Sequence, residues 1–238
     1  MTKIFAHRGY SKLYPENTMI AFKKALVFGA EGIELDVHMT KDHHIIIIHD
    51  DDLKRTTNIS GKVNGMTLKE VQKAKIKRAD QLFEQVPTIN EFFKWVKPTS
   101  LFINVEIKGI TEGVLEKKLI QLIHQYSLSD RIVISSFNEN ALEIIHQIDP
   151  EIETAYLFDS FKKMHHHKIK LNHVHGLHPN HRKLFTADLR KLMGDKTKLR
   201  LYTVNQKSKM IKYLKQGVDA IITDDVELAV KLKAMLKG

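Results

Sequence analysis

The sequence predicts an α/β protein of the (β/α)8 class, a TIM barrel carrying an extra hairpin strand and a small insertion behind it. Three observations predict this. Apolar runs of strand length alternate along the chain with segments of helical period, the pattern of repeated βα units around a mainly parallel sheet. The length, 238 residues, is close to that usual for one such barrel. Charged and imidazole residues recur where the apolar runs stop, and the C-terminal ends of the strands are where barrels of this class carry chemistry.

Strands are expected at Lys3–Ala6, Gly32–Val37, Leu101–Ile107, Ile132–Ser135, Thr154–Phe158, Val174–Leu177, Leu199–Val204 and Ala220–Thr223. Helices follow in register. Leu115, Leu119, Leu122 and Tyr126 form one apolar stripe, and Ala141, Ile144, Ile145 and Ile148 form another. Thr88 with Glu91 reads as a capping box opening the helix before Trp95, and Thr67 with Glu70 as a second.

One further run, Ile45–Ile48, follows Val37 after a polar stretch too short for a parallel crossover, so it must return antiparallel. With Thr40 facing His43 across the turn, the pairing runs Asp36 to Ile47 and Glu34 to His49. Residues 50–86 then form a cap with turn residues Asn58, Ser60, Gly61 and Gly65 and a short helix near Leu68–Lys73. Nothing in composition marks a second domain, so one domain over 1–238 is expected.

Composition narrows the chemistry. Without cysteine there is neither disulfide nor thiolate ligand. No apolar run approaches the roughly 20 residues of a membrane span, which argues against stable membrane insertion and for a cytoplasmic protein. The net charge of +10 is spread over every predicted helix and lacks the aromatic-plus-basic interleaving of a strand-binding surface, which argues against nucleic acid. A small anionic substrate suits it; the oligomeric state is not encoded legibly.

The strand-end residues are His7-Arg8-Gly9, Glu34-Leu35-Asp36, His49-Asp50 and Glu106-Ile107-Lys108. Residues i and i+2 of a strand share a face, so Glu34 with Asp36, and Glu106 with Lys108, project together. Three carboxylates, two histidines, an arginine and a lysine at one barrel mouth make a metal site with acid/base groups and an anion clamp. Oxygen donors without sulfur favour a hard cation, Ca2+ or Mg2+. Other polar residues have plainer readings. Asn17 and Asn205 each precede a helical segment and read as caps. The run His165-His166-His167 reads as a solvated face, His178 as a residue of the mouth or of the interior, and Phe137 as an apolar wall or a core residue.

The ordered set His7-Arg8-Gly9, Pro15-Glu16-Asn17-Thr18, Glu34-Leu35-Asp36-Val37, His49-Asp50, Arg55-Thr56-Thr57, Glu106-Ile107-Lys108 and Gly217-Val218-Asp219-Ala220-Ile221-Ile222-Thr223-Asp224 resembles the glycerophosphodiester phosphodiesterase family from end to end. The resemblance implies a barrel that hydrolyses glycerophosphodiesters to glycerol 3-phosphate and an alcohol with one divalent cation. It assigns metal to Glu34, Asp36 and Glu106, acid/base work to His7 and His49, and phosphate contact to Arg8 and Lys108. The chain has Tyr202-Thr203-Val204-Asn205 where the family often has tryptophan first, and Ala220 where glycine is frequent. Two rivals are a lysophospholipid-directed phosphodiesterase on the same barrel, disfavoured by the few large apolar residues of the cap, and a non-catalytic anion-binding barrel, disfavoured because no catalytic position is lost.

Overall fold

The computed structural model describes residues 1–77, 83–109, 112–160, 174–184 and 197–236. Eight parallel strands close into a barrel: β1 (Lys3–His7), β2 (Gly32–Met39), β6 (Phe102–Ile107), β7 (Ile132–Ser136), β8 (Glu153–Phe158), β9 (Gly176–Pro179), β10 (Lys198–Leu201) and β11 (Ala220–Thr223), with β11 returning to pair with β1. Helices α1 (Met19–Val27), α3 (Ile89–Val96), α4 (Val114–Tyr126), α5 (Glu139–Ile148), α6 (Lys207–Gln216) and α7 (Val226–Met235) lie between or after them.

Alternation divides each strand between two environments. Ile33, Leu35 and Val37 of β2, and Ile103, Val105 and Ile107 of β6, point outward into the main apolar core with helix residues such as Phe22, Phe92 and Leu119. The intervening Glu34, Asp36, Asn104 and Glu106 therefore face the barrel axis, where Phe5, Ala220 and Ile222 form a small apolar cluster. Polar side chains inside a closed barrel are costly to bury, so their concentration here marks a site rather than a core.

β3 (Ile45–Ile47) pairs antiparallel with β2, as expected, but one residue out of the expected register. Val37, not Asp36, lies opposite Ile47. The cause is a three-residue loop: Thr40 pairs with His44, its N–H donating to the His44 carbonyl at 2.9 Å, and His43 takes a left-handed φ of 62°. β1 and β3 divide β2 between them, β1 pairing with Gly32–Glu34 and β3 with Val37–Met39. Ile45 and Ile47 enter the main core, whereas Ile46 and Ile48 enter a separate core with Leu53, Val63, Val71, Ile76 and Val86. Four successive isoleucines are accommodated because both faces of β3 are covered. The segment after β3 holds α2 (Leu68–Val71) and the short pair β4 (Ile76–Lys77) and β5 (Phe83–Glu84).

Thr67 and Glu70 form the full capping box, while Thr88 caps α3 by accepting from the Glu91 N–H. On α5 the buried stripe is Ala141, Leu142 and Ile145; Ile148, placed on it from periodicity, is exposed at the last turn. β9 starts two residues later than expected; ahead of it the Thr154 N–H donates to His175 Nδ1 at 3.1 Å, and the His175 N–H donates to the Thr154 carbonyl at 2.9 Å. β10 stops at Leu201, short of Val204, whose N–H still donates to the Ile222 carbonyl at 2.8 Å. Among the described residues no helix is long and apolar enough to cross a membrane. The His165-His166-His167 run lies outside the described residues.

Candidate active site

The strand ends bring together all seven residues singled out from sequence. Glu34, Asp36 and Glu106 are buried, and one oxygen of each lies within 4.8 Å of the others. Their alignment follows from sheet register, since Asp36 sits opposite Glu106 on the neighbouring strand and His7 opposite Glu34. Two cations lean on the cluster: Lys108 Nζ is 2.5 Å from Glu106 and 3.2 Å from Asp36, and Arg8 Nε is 3.2 Å from Asp36. Burial, reinforced by the neighbouring Asp36 charge, pushes the carboxyls of Glu34 and Glu106 well above the ordinary carboxylate range. Burial would raise Asp36 too, but Lys108 and Arg8 outweigh it and hold that carboxyl low.

Arg8 owes its position to an uncommon backbone. Its φ is 55°, and the following Gly9, at φ 81°, passes so close to α1 that a Cβ there would meet the Ala21 carbonyl carbon at 2.7 Å. The turn aims the Arg8 N–H at Glu34 (3.0 Å) and its guanidinium at Glu16 (2.9 Å). A left-handed non-glycine residue next to an obligatory glycine is strain placed where geometry matters.

Each histidine is held by a carboxylate on Nδ1. His7 lies 2.6 Å from Asp224, and His49 lies 2.6 Å from Asp50. The two environments differ. Burial would lower the His7 pKa, but the Asp224 hydrogen bond and the Glu34 charge prevail and raise it. For His49 burial dominates, and Asp36 and Asp50 only partly offset it, so its pKa is lowered. His49 reaches the site although it does not pair with Glu34: its carbonyl is 3.1 Å from His38 Nε2, just beyond the end of β3.

A layer of supporting residues surrounds these. Asn17 Nδ2 donates to Asp36 at 2.9 Å, and Asn205 Nδ2 donates to Asp224 at 2.5 Å. Neither is a helix cap: Thr18 caps α1 by accepting from the Ala21 N–H, and Gln206 precedes α6. Ser11 Oγ also donates to Asp224 at 3.1 Å. From the cap side, Arg55 donates to both Glu16 (2.6 Å) and Asp50 (2.6 Å), so one exposed guanidinium connects the Arg8 and His49 branches. Asp224, Glu16 and Arg55 had been legible only as members of family motifs, with no role attached.

Two cavities share His7 in their walls. A recess of about 430 Å3 is lined by His7, Arg8, Lys12, Glu16, Asn205 and Asp224. A narrow cavity of about 20 Å3 lies among His7, Glu34, Asn104, Glu106, Tyr202 and Ile222. Phe137 stands exposed, with its ring edge-on to Tyr202 at 6.2 Å, and is not a core residue. His178 is wholly buried beside Arg200, at 3.2 Å, and takes no place on the exposed rim.

The chain is similar to known proteins over nearly its whole length. The chain matches the model of the glycerophosphoryl diester phosphodiesterase family over residues 7–228. It is 37% identical over 236 residues to a glycerophosphodiester phosphodiesterase of Caldanaerobacter subterraneus subsp. tengcongensis, covering 97% of each chain. To one of Bacillus altitudinis it is 37% identical over 250 residues, covering 100% of both. An Oleispira antarctica phosphodiesterase solved with the product sn-glycerol-3-phosphate superposes with a TM-score of 0.89 at 25% identity, over 100% of this chain and 98% of that one. The Thermotoga maritima glycerophosphodiester phosphodiesterase gives a TM-score of 0.79 at 28% identity, over 98% of each chain. With its strand-end residues assembled at one mouth and the family model spanning nearly its whole length, the chain belongs to the glycerophosphoryl diester phosphodiesterase family.

Proposed function

We propose that the protein hydrolyses glycerophosphodiesters to glycerol 3-phosphate and an alcohol, with one divalent cation, Ca2+ or Mg2+, held by Glu34, Asp36 and Glu106. The observation that carries this reading is two imidazoles, each with Nδ1 on a carboxylate, flanking one buried three-carboxylate cluster. The donor set fits a hard cation: three oxygens converge within 4.8 Å, and two of the carboxyls are hard to ionise without further positive charge. Such a cation, when bound, polarises a phosphate oxygen and eases deprotonation of the attacking hydroxyl or water. The glycerol 3-phosphate bound by the Oleispira antarctica relative is the product this reaction releases.

The chain's own residues supply the rest. Because Asp224 and Asp50 occupy Nδ1 of His7 and His49, the Nε2 atoms are left for the reacting groups. The opposite displacement of the two imidazoles suits a division in which His49, lowered, takes the nucleophile's proton and His7, raised, gives one to the leaving alcohol. Arg8 and Lys108 balance Asp36 and Glu106 in this structure; with a cation sharing that charge, both turn to the phosphate oxygens. The test is release of glycerol 3-phosphate from a panel of glycerophosphodiesters with and without chelator. Turnover unaffected by excess EDTA would overturn the cation's part, and no release from any diester would overturn the assignment.

A further inference from the structure

Asn104 lines the narrow cavity, and the reaction outlined above gives it no part. It lies on β6 opposite Glu34 in the sheet, and two residues before Glu106, so its side chain faces the barrel axis with theirs. It is 1% exposed, and its Oδ1 has no hydrogen-bond partner among the described residues. Once a cation holds Glu34 and Glu106 ionised, the walls around Asn104 have no donor to spare: those two carboxylates only accept, Leu157 and Ile222 are apolar, His7 gives Nδ1 to Asp224 and keeps Nε2 for the leaving alcohol, and the Tyr202 hydroxyl donates to the Phe158 carbonyl. A buried amide oxygen left unpaired lowers stability, and leucine would fill nearly the same space without that cost. A partner is available from a molecule occupying the cavity.

We infer that Asn104 is a positioning residue for the cation, accepting a hydrogen bond from a water of its coordination shell. The inference rests on the cation reading given above. With one oxygen from each carboxylate the cation would have three of the six to eight ligands a hard cation takes, which leaves positions for water before substrate enters. The cavity of about 20 Å3 has room for one water beside Glu34 and Glu106, and a water there can donate to Asn104 Oδ1. Outer-shell partners of this kind fix the ligand set, and their loss typically weakens metal binding by about 10–100-fold.

Titration calorimetry with Mg2+ and Ca2+, combined with melting of the metal-free protein, tests this. Asn104→Leu should melt at or above the temperature of the unsubstituted protein while binding the cation about 10–100-fold more weakly. A merely structural Asn104 would give the reverse, a lower melting temperature with unchanged affinity. Asn104→Asp keeps an acceptor oxygen in place and should bind at least as tightly as the unsubstituted protein, while the metal-free form loses stability to a fourth buried carboxyl. Cation affinity in Asn104→Leu within twofold of the unsubstituted protein would overturn the inference, as would weakened binding in Asn104→Asp should the leucine variant not fold. Absence of binding in the unsubstituted protein would instead overturn the cation reading, and the inference with it.

Discussion

His7 Nδ1 and Asp224 Oδ1 lie 2.6 Å apart although 217 residues separate them in the chain. Barrel closure makes the contact: β1 and β11 are parallel neighbours with Ala6 opposite Thr223, so the next residue of each strand emerges at the same level. Asp224 is itself fixed by Ser11 and Asn205, and it thereby sets which His7 nitrogen faces the cavity.

Asp224→Asn should therefore leave the fold intact and lower kcat/KM by about 10²-fold or more. The Asp224 hydrogen bond is the chief influence raising the His7 pKa against burial, so its loss lowers that pKa. If His7 is the acid, the alkaline limb of the kcat/KM profile moves to lower pH. A pH–rate series on both proteins checks this; an unmoved limb would separate His7 from the protonation step.

Metal-free stability should fall as pH rises. Glu34 and Glu106 have folded-state pKa values above the ordinary 4.5, chiefly through burial, so the fold binds their protons more tightly than the unfolded chain does. Their contribution is fully present below pH 4.5 and is lost as pH rises through the raised values. Saturating Mg2+ or Ca2+ should reverse the trend above neutrality, since ligation needs the ionised carboxylates. Melting curves from pH 5 to 9, with and without cation, measure both slopes.

Asn17→Ala should weaken cation binding by about 10–100-fold through Asp36, which loses its amide donor. Helix α1 should survive, because Thr18 supplies the cap. Calorimetry and circular dichroism on the same sample separate the two effects.

The position of Asn17 shows where sequence reasoning stopped. An asparagine just ahead of a helix is an ordinary cap signal, and adjacent Thr18 satisfies the same signal; only the fold reveals that Asn17 turns to Asp36. Asn205 repeats the case beside Asp224. The strands and the convergence of His7, Glu34, Asp36, Glu106 and Lys108 were legible because period-two alternation and strand ends are local properties of the chain. The hairpin register was not, since His43 in a left-handed turn carries no glycine or asparagine to announce it. The partner of His7 was not either, because naming it requires knowing that β11 closes onto β1.

Water-soluble diesters such as glycerophosphocholine and glycerophosphoethanolamine should be cleaved with loose preference for the alcohol, and phosphate monoesters poorly. Among the described residues of the cap, Leu53, Val63, Val71 and Ile76 are spent on its own core and leave no long apolar groove facing the mouth. Parallel assays against lysophospholipids check this, and faster turnover of lysophospholipids than of any deacylated diester would move the assignment to the lipid-directed reading.

His7 and His49 should act as a pair that contributes little to folding. Both side chains open onto the mouth, 18% and 32% exposed, and neither belongs to an apolar cluster, so His→Ala variants should melt near the unsubstituted temperature. Each should cost roughly 10²–10⁴-fold in kcat/KM. The leaving group then separates their roles. An aryl alcohol of low pKa departs without protonation, so on an activated aryl diester the acid variant should recover most of its rate while the base variant stays slow. The raised His7 pKa and lowered His49 pKa assign recovery to His7→Ala. Recovery in His49→Ala alone would exchange the two roles, and near-normal turnover of glycerophosphocholine by both single variants would remove the histidines from the mechanism while leaving the barrel and its carboxylates as described.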